Sequence, residues 1–242
     1  MPRYKILVEY DGTDYYGWQR QPEGPTVEGE IEDALSTILR EPIDIKGQGR
    51  TDSGVHAEAQ VAHFDYPGEL DSHRITYALL GVLPKDISVY SLEQVRDDFH
   101  ARFDAKSRRY RFQIVTRPSP LLHRQAQMVL NELDLEAMLA CAESILGIHD
   151  FESFTKSGPE QERTKCDIMF SEFEVRQHMI IYHIQANRFL RHLVRRLVGT
   201  MIQVGKGRKS VDEFLDILKN PTDKEGGHGA QAKGLILEKV GY

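Results

Sequence analysis

Apolar and polar side chains alternate along the first residues of the chain, which is the pattern of a β-strand with one buried face. The apolar positions of this strand are Tyr4, Ile6, Val8 and Tyr10, and the turn signal Asp11-Gly12 ends it. Similar alternation or short apolar runs predict further strands. They lie at 43–46, 60–65, 87–91, 109–115, 168–175, 179–186 and 234–240.

Apolar residues at helical spacing predict five helices between these strands. Thr26 is the expected N-cap of the first helix, Gly147 stops the third, and Ser210 with Glu213 forms a capping box before the fifth. The fourth helix has the clearest pattern, because its apolar residues form one stripe and its arginines point elsewhere. The helices are predicted at 27–38, 72–80, 135–146, 189–204 and from 210 onward, and loops at 157–162 and 220–229.

Strands and helices alternate irregularly along the chain, with hairpins as well as crossovers. This order favours an α+β fold, in which helices pack on mixed or antiparallel sheets, over a regularly repeating parallel fold. A boundary near residues 104–108 divides the chain into an N-terminal α+β half, 1–104, and a C-terminal α+β half, 105–242. The two halves share no detectable sequence repeat, so a duplication would be structural only.

The composition is that of an ordinary globular protein, with 242 residues of which 40% are hydrophobic and 28% charged. No window approaches the roughly 18 unbroken apolar residues of a membrane helix, and the N-terminus has the pattern of a strand rather than of a signal peptide. Cys141 and Cys166 match no metal or disulfide spacing. We therefore expect a protein of the reducing cytoplasm.

Basic residues are concentrated in two segments, although the formal net charge is −6. Segment 100–124 contains seven basic residues and one acidic residue, and segment 187–209 contains seven basic residues and no acidic one. Acidic residues outnumber basic ones in the rest of the chain. This distribution favours one basic face that binds a polyanion, since chance clustering would have to occur twice.

The segment 47–57, Gly-Gln-Gly-Arg-Thr-Asp-Ser-Gly-Val-His-Ala, is the most unusual in the sequence. Its glycines flank Arg50, Asp52, Ser53 and His56 and allow another molecule to approach closely. The segment lacks the ending of a phosphate-binding P-loop and the glycine spacing of a dinucleotide fingerprint. The residues alone support a functional loop and a sharp structural turn equally, and a Ser53–His56 nucleophile pair lacks an evident orienting acid.

The segment 108–112, Arg-Arg-Tyr-Arg-Phe, puts Tyr110 and Phe112 on one face of a strand and Arg109 and Arg111 on the other. Aromatic rings can stack on bases while arginines hold phosphates, and each stacked base is worth ~1–3 kcal/mol. A tyrosine buried in the core explains Tyr110 equally well. The ten histidines show no metal-ligand spacing, so we predict no metal.

Taken together, these segments resemble the tRNA pseudouridine synthase A (TruA) family. The matching stretches follow the family's order and span nearly the whole chain. They are Tyr10-Asp-Gly-Thr-Asp-Tyr-Tyr-Gly-Trp-Gln19, Gly49-Arg-Thr-Asp-Ser-Gly-Val-His-Ala57, Leu83-Pro-Lys-Asp-Ile87, Asp98-Phe-His-Ala-Arg-Phe103 with Arg109-Tyr110, Phe189-Leu-Arg-His-Leu-Val-Arg195 and Gly234-Leu235. Three positions depart from the pattern, because Leu80, Arg196 and Gln231 stand where members often have Asn, Asn and Pro.

The resemblance implies the pseudouridine synthase fold, with two α+β halves whose sheets join side by side and an active cleft between them. It also implies a reaction, the isomerisation of uridine to pseudouridine on the 3′ side of the tRNA anticodon stem-loop. Members of the family act as homodimers without a metal or any other cofactor. The expected protein is thus a cytoplasmic, dimeric tRNA-modifying enzyme.

The resemblance assigns roles to individual residues. Asp52 is the catalytic carboxylate, which attacks C1′ or C6 or acts as a base at the sugar, and Arg195 is the cationic partner that lowers its pKa. Arg50 holds the position that the flipped base has left. Tyr110 binds the substrate by stacking on the extruded base, and Leu235 supplies an apolar wall.

Further basic side chains are expected to hold tRNA phosphates rather than to read bases. They are Arg20, Arg102, Lys106, Arg108, Arg109, Arg111, Arg188, Arg191 and Arg196. Two other functions are compatible with the same residues. One is a non-catalytic tRNA-binding protein on this scaffold, and the other is a nucleoside-bond hydrolase that uses Asp52 and releases uracil.

Overall fold

The structure, a computed structural model, describes residues 1–155, 164–221 and 229–242. Of the predicted loops, 157–162 lies outside these ranges, as does 220–229 apart from residues 220, 221 and 229. The described residues combine β-sheets with helices, which confirms the predicted α+β class. Within these ranges, no helix has the length and apolar content that crossing a membrane requires.

The described residues form ten strands and five α-helices. In chain order they are β1 (Arg3–Tyr10), α1 (Val27–Leu39), β2 (Lys46–Gly47), β3 (His56–Asp65), α2 (Ser72–Val82), β4 (Ile87–Val95), β5 (Ser107–Val115), β6 (Gln127–Met128), α3 (Leu135–Ser144), β7 (Gly147–Asp150), β8 (Lys165–Arg176), β9 (Met179–Ala186), α4 (Leu193–Gly205), α5 (Val211–Lys219) and β10 (Leu235–Gly241). Short 3₁₀ turns occur at Pro120–Leu122, Glu152–Phe154 and Ala232–Gly234.

The chain divides into two compact units, Met1–Lys106 with Ile236–Tyr242, and Ser107–Leu235. In the first unit the strand order is β4-β1-β3-β10, and β2 pairs with β3. Strand β1 is antiparallel to β3 and β4, whereas β10 is parallel to β3. Strand β10 therefore lies in the first unit apart from its first residue, Leu235.

The core of the first unit follows the predicted alternation of β1. Ile6 and Val8 are completely buried, as are Ile31 and Leu35 on the inner face of α1. Helix α1 begins where expected, because the Thr26 side chain accepts a hydrogen bond from the Gly29 amide.

The second unit is built on the strand order β5-β9-β8-β7, in which all neighbours are antiparallel. The core-facing residues of its strands include Phe112 and Ile184, and Leu197 and Met201 of α4 are equally inaccessible. The predicted capping box at α5 is present. Strands β6 and β7 are additions that the sequence pattern did not predict.

The predicted strand at 43–46 is wrong, apart from its last residue in β2. Ile43 and Ile45 are buried, but their amides bond to side chains of α1 instead of to a neighbouring strand. The Ile43 amide donates to Ser36 Oγ at 2.9 Å, and the Ile45 amide donates to Glu32 Oε1 at 3.0 Å. Two buried residues thus satisfy their backbone amides without a neighbouring strand.

The fourth helix begins four residues later than its apolar stripe predicts. His192, which precedes α4, has a φ of 64°. This value lies in the left-handed region that residues other than glycine rarely adopt. A residue in this conformation cannot continue a right-handed helix. Leu190 is buried like the helix residues, so apolar spacing alone could not locate the start.

Candidate active site

Asp52 lies half-buried in the loop between β2 and β3. The loop turns sharply at this point, because the Val55 amide donates to the Asp52 carbonyl at 3.1 Å. Gly54 has a φ of 77°, as required at the third position of a type II turn. The glycine after Ser53 is therefore needed for the turn that carries the acid.

The aromatic segment 11–20 packs directly against this loop. The Trp18 amide donates to the Thr51 carbonyl at 3.2 Å, and Ser53 Oγ donates to the Tyr15 carbonyl at 3.0 Å. Gly17 has a φ of 89°, and a Cβ on it would lie 2.5 Å from the Thr51 oxygen. The structure thus makes this segment one wall of the Asp52 loop.

The motif 83–87 supports the same wall from another side. Tyr15 donates its hydroxyl to Asp86 Oδ1 at 2.6 Å, and the Asp11 amide donates to the Asp86 carbonyl at 2.9 Å. Burial, reinforced by the Asp86 carboxylate, raises the pKa of Tyr15 above its ordinary value, so this phenol stays a donor. Three motifs that are far apart in sequence thus meet around Asp52.

Buried polar side chains attach the loop to the strands beneath it. The hydroxyls of Tyr10 and Thr51 lie 2.8 Å apart, and Gln60 donates through Nε2 to the Gly49 carbonyl at 3.1 Å. Gln60 is completely inaccessible to solvent. Buried polar groups are costly unless they are hydrogen-bonded, so these contacts define a specific loop conformation. No sequence motif pointed to Gln60.

The structure places an acid, Asp11, beside the His56 ring, but it does not aim the Ser53 hydroxyl at that ring. The Nδ1 of His56 lies 3.1 Å from the Gly12 amide, which donates to it, and 3.1 Å from Asp11 Oδ1. Because one nitrogen can serve only one of these partners, Nδ1 accepts when unprotonated and donates when protonated. The Ser53 hydroxyl points its proton at a carbonyl instead of at this ring.

In the second unit, Tyr110 lies on β5 and is 8% exposed. Its ring meets that of Phe189 edge-on, with centroids 5.3 Å apart. An aromatic neighbour at this angle holds the tyrosine ring in a defined plane.

Arg195 occupies the first turn of α4 and is tied to the segment before β10. Its Nε donates to the Ala230 carbonyl at 2.8 Å, and the Ala230 amide donates to the Arg195 carbonyl at 2.9 Å. Leu235, the first residue of β10, is 6% exposed. The Arg195 side chain and the segment that leads to Leu235 are thus positioned by one set of hydrogen bonds within the second unit.

The predicted phosphate-binding side chains differ in their surroundings. The exposed ones are Arg20, Arg102, Lys106, Arg188 and Arg191, and Arg50 of the Asp52 loop is exposed as well. The half-buried ones are Arg108, Arg109, Arg111 and Arg196. Arg20 already pairs with two acids, because it donates to Glu32 Oε2 at 2.7 Å and to Asp33 Oδ1 at 2.6 Å. Its charge is therefore largely compensated within the protein.

Several half-buried arginines also contact other parts of the second unit. Arg108 donates to the Asn187 carbonyl at 2.9 Å, and the Arg109 guanidinium lies 4.9 Å from the centre of the Phe170 ring. Arg196 donates to the Thr155 carbonyl at 2.6 Å. Arg196, which stands where the resemblance led us to expect Asn, thus makes a backbone contact inside its own unit.

Comparison with known proteins gives a consistent result. The family model described as tRNA pseudouridine synthase matches residues 6–104 and 141–242. A protein of Bacteroides fragilis named tRNA pseudouridine synthase A is 41% identical over 99% of this chain and 96% of its own length. Proteins of the same name from Chlorobaculum tepidum and Chlorobium phaeovibrioides are 41% and 40% identical, over 98% and 100% of this chain and 97% and 100% of their own.

Among solved structures, a chain from the crystal structure of a Cbf5-Nop10-Gar1 complex matches with a TM-score of 0.43 and 11% identity. The match covers 97% of this chain and 48% of that one.

Proposed function

Because the chain belongs to the tRNA pseudouridine synthase family, whose members are isomerases, we propose that it converts uridine to pseudouridine in the anticodon stem-loop of tRNA, with Asp52 as the catalytic carboxylate. The observation that carries the proposal is the environment of this acid. Asp52 is half-buried, and the hydrogen bonds of the loop around it hold its backbone in one conformation. A catalytic carboxylate needs both access to the substrate and a fixed position.

The reaction breaks the N1–C1′ bond of uridine, turns the base within the site and joins C5 to C1′. C5 loses its proton and N1 gains one, so no second substrate is consumed. A carboxylate suits this chemistry, because it can act as a nucleophile, as in glycosyl transfer, or remove a sugar proton. The resemblance assigns this role to Asp52 and leaves the position of attack open.

The carboxylate must be ionised while a nucleotide covers it, which requires a favourable cation. A unit charge pair at 4 Å is worth about 4 kcal/mol at an effective dielectric constant of 20, before desolvation is deducted. The assignment of this cation to Arg195 stays a prediction from the resemblance. The same holds for Arg50 at the vacated base position, Tyr110 as the stacking ring and Leu235 as the apolar wall.

The proposed substrate also determines the proposed setting. A tRNA is a polyanion, which agrees with the two basic segments in an otherwise acidic chain. The cytoplasm is where we expect an enzyme of tRNA to act. A homodimer remains a proposal that rests on the family resemblance alone.

Replacing the proposed catalytic acid tests the function directly. Asp52→Asn keeps the size of the side chain and removes its charge, so it should abolish isomerisation and leave tRNA affinity nearly unchanged. The product has the same mass as the substrate, so turnover is followed by tritium release from tRNA labelled at uridine C5. Asp44→Asn is the matched control, because Asp44 is an exposed acid that pairs with Lys46 outside the loop.

The wild-type protein should place pseudouridine in the anticodon stem-loop, as chemical mapping of bulk tRNA would show. Turnover retained in Asp52→Asn would reject the role of this acid. Uracil in the wild-type reaction would instead indicate the hydrolase, and salt-sensitive binding without a new nucleoside would indicate the non-catalytic tRNA-binding protein.

A further inference from the structure

We infer that Tyr10 is a positioning residue for Asp52 and acts through the hydroxyl of Thr51. This inference rests on the proposed function, because it concerns the orientation of the proposed catalytic acid. Tyr10 ends β1 and is 3% exposed, and its hydroxyl lies 2.8 Å from Thr51 Oγ1. The two residues are separated by 41 positions in the sequence, so the contact depends on the fold.

Thr51 is held at two points, and both affect the residue that follows it. The Trp18 amide donates to the Thr51 carbonyl, which is part of the peptide group that joins Thr51 to Asp52. The Tyr10 hydroxyl holds the side chain of the same residue. Fixing the side chain and the carbonyl together leaves Thr51 little freedom to rotate. The direction in which the Asp52 side chain projects from the loop is therefore defined.

Regular secondary structure does not provide this restraint. Residues 48–55 lie between β2 and β3 and belong to neither strand. Their conformation therefore depends on individual contacts, among which the Tyr10–Thr51 pair holds the side chain of the residue directly before the acid. Because a displacement of about 1 Å at a reacting group can cost about a hundredfold in rate, loss of this contact should lower turnover.

The ring of Tyr10 has a separate structural role, which the experiment must keep intact. It lies next to the Trp18 ring, with centroids 6.0 Å apart. Phenylalanine preserves this packing and removes only the hydroxyl. Tyr10→Phe therefore tests the hydrogen bond rather than the filling of the core.

Strand β1 offers a matched control in Tyr4. This residue is 2% exposed, and its hydroxyl donates to the Gly68 carbonyl at 2.9 Å and accepts from the Leu70 amide at 3.1 Å. Tyr4→Phe thus removes a buried hydroxyl from the same strand at a site that supports a different loop. It should lower stability to a similar extent without changing kcat.

The experiment measures kcat and KM for tRNA, by tritium release, in Tyr10→Phe, Thr51→Val and the double variant, with Thr51→Ser as the conservative replacement. We expect Tyr10→Phe and Thr51→Val each to lower kcat at least about tenfold with KM nearly unchanged. The double variant should be no slower than either single one, because both remove the same contact. Thr51→Ser keeps the hydroxyl and should stay close to wild type.

The inference is overturned if Tyr10→Phe turns over at the wild-type rate, if Tyr4→Phe loses as much kcat, or if the effects of the two single changes multiply. If Tyr10→Phe does not fold, the comparison of Thr51→Val with Thr51→Ser decides, and equal kcat in these two also overturns it. Failure of the proposed function looks different, because wild-type protein would then form no pseudouridine.

Discussion

His63 is a side chain whose charge is determined by its surroundings. It is 3% exposed on β3, and its Nδ1 accepts a hydrogen bond from the Ala101 amide at 3.2 Å. Burial, together with the nearby Arg3 and His100, lowers its pKa to about 4, and the opposing influence of Asp65 is smaller. The ring is therefore neutral in the folded protein at physiological pH.

This pKa predicts how stability changes in mild acid. The unfolded chain binds a proton at His63 below pH 6.5, but the folded protein does so only near pH 4. The free energy of unfolding is therefore unaffected by this group above pH 6.5 and falls as the pH drops from 6.5 towards 4. The slope approaches about 1.4 kcal/mol per pH unit, the limit for one proton. Urea denaturation at a series of pH values measures it.

His63→Asn is the appropriate comparison, because an amide oxygen can replace Nδ1 as the acceptor and does not titrate. The variant should show a shallower dependence on pH over the same interval. A residual slope is expected from His100, whose pKa burial also lowers. An unchanged slope in His63→Asn would show that other groups account for the loss of stability.

At the scale of single elements, helix α5 illustrates a stability contribution that is readable from sequence. Ser210 Oγ accepts from the Glu213 amide at 3.1 Å, and Glu213 Oε2 accepts from the Ser210 amide at 2.6 Å. The hydrogen bond from the Ser210 amide holds the pKa of Glu213 below its usual value. The backbone amides of Ser210 and Glu213, at the start of the helix, thus each have a side-chain acceptor.

Ser210→Ala should lower the free energy of unfolding by about 1 kcal/mol, the usual cost of losing an N-cap side chain. Chemical denaturation of the full chain measures this loss, and Ser210→Asp serves as control because aspartate caps equally well. Equal losses in both variants would mean that the hydroxyl geometry, rather than capping in general, stabilises this helix. Pseudouridine formation should continue in both.

At the scale of the whole molecule, an acidic protein is proposed to bind a polyanion. Local charge then matters more than net charge, since binding releases counterions only where basic side chains meet phosphates. Arg191 is exposed and lies in the segment that carries seven basic residues and no acidic one. Arg20 is equally exposed, but Glu32 and Asp33 already compensate its charge.

The dependence of tRNA affinity on salt should separate these two arginines. Arg191→Gln should weaken binding and reduce the slope of log K against log salt by about 0.7–0.9, the value for one lost phosphate contact. Arg20→Gln should leave this slope unchanged. Filter binding at several salt concentrations gives both slopes. A slope that is reduced in Arg20→Gln and unchanged in Arg191→Gln would place the RNA-binding surface at Arg20 instead.

Much of this protein was accessible from its sequence because the relevant physics is local. Strand β9 covers the predicted residues, α1 begins after its predicted Thr26 cap, and α5 begins at its predicted capping box. Periodicity and capping depend on residues a few positions apart, which any single sequence displays. The resemblance likewise depended on short motifs, and it led to the family that the comparisons show.

The tertiary structure determined which residues contact one another around the site, because these contacts join residues that are distant in the chain. Alternation in β1 predicted that Tyr10 is buried, but only the fold brings its hydroxyl to Thr51. Nor could local pattern show that α1 side chains satisfy the amides of Ile43 and Ile45, or that β10 pairs with β3. Sequence thus determined most of the elements and, through the resemblance, the candidate acid, whereas the contacts that hold the loop of that acid were decided by long-range packing and hydrogen bonding.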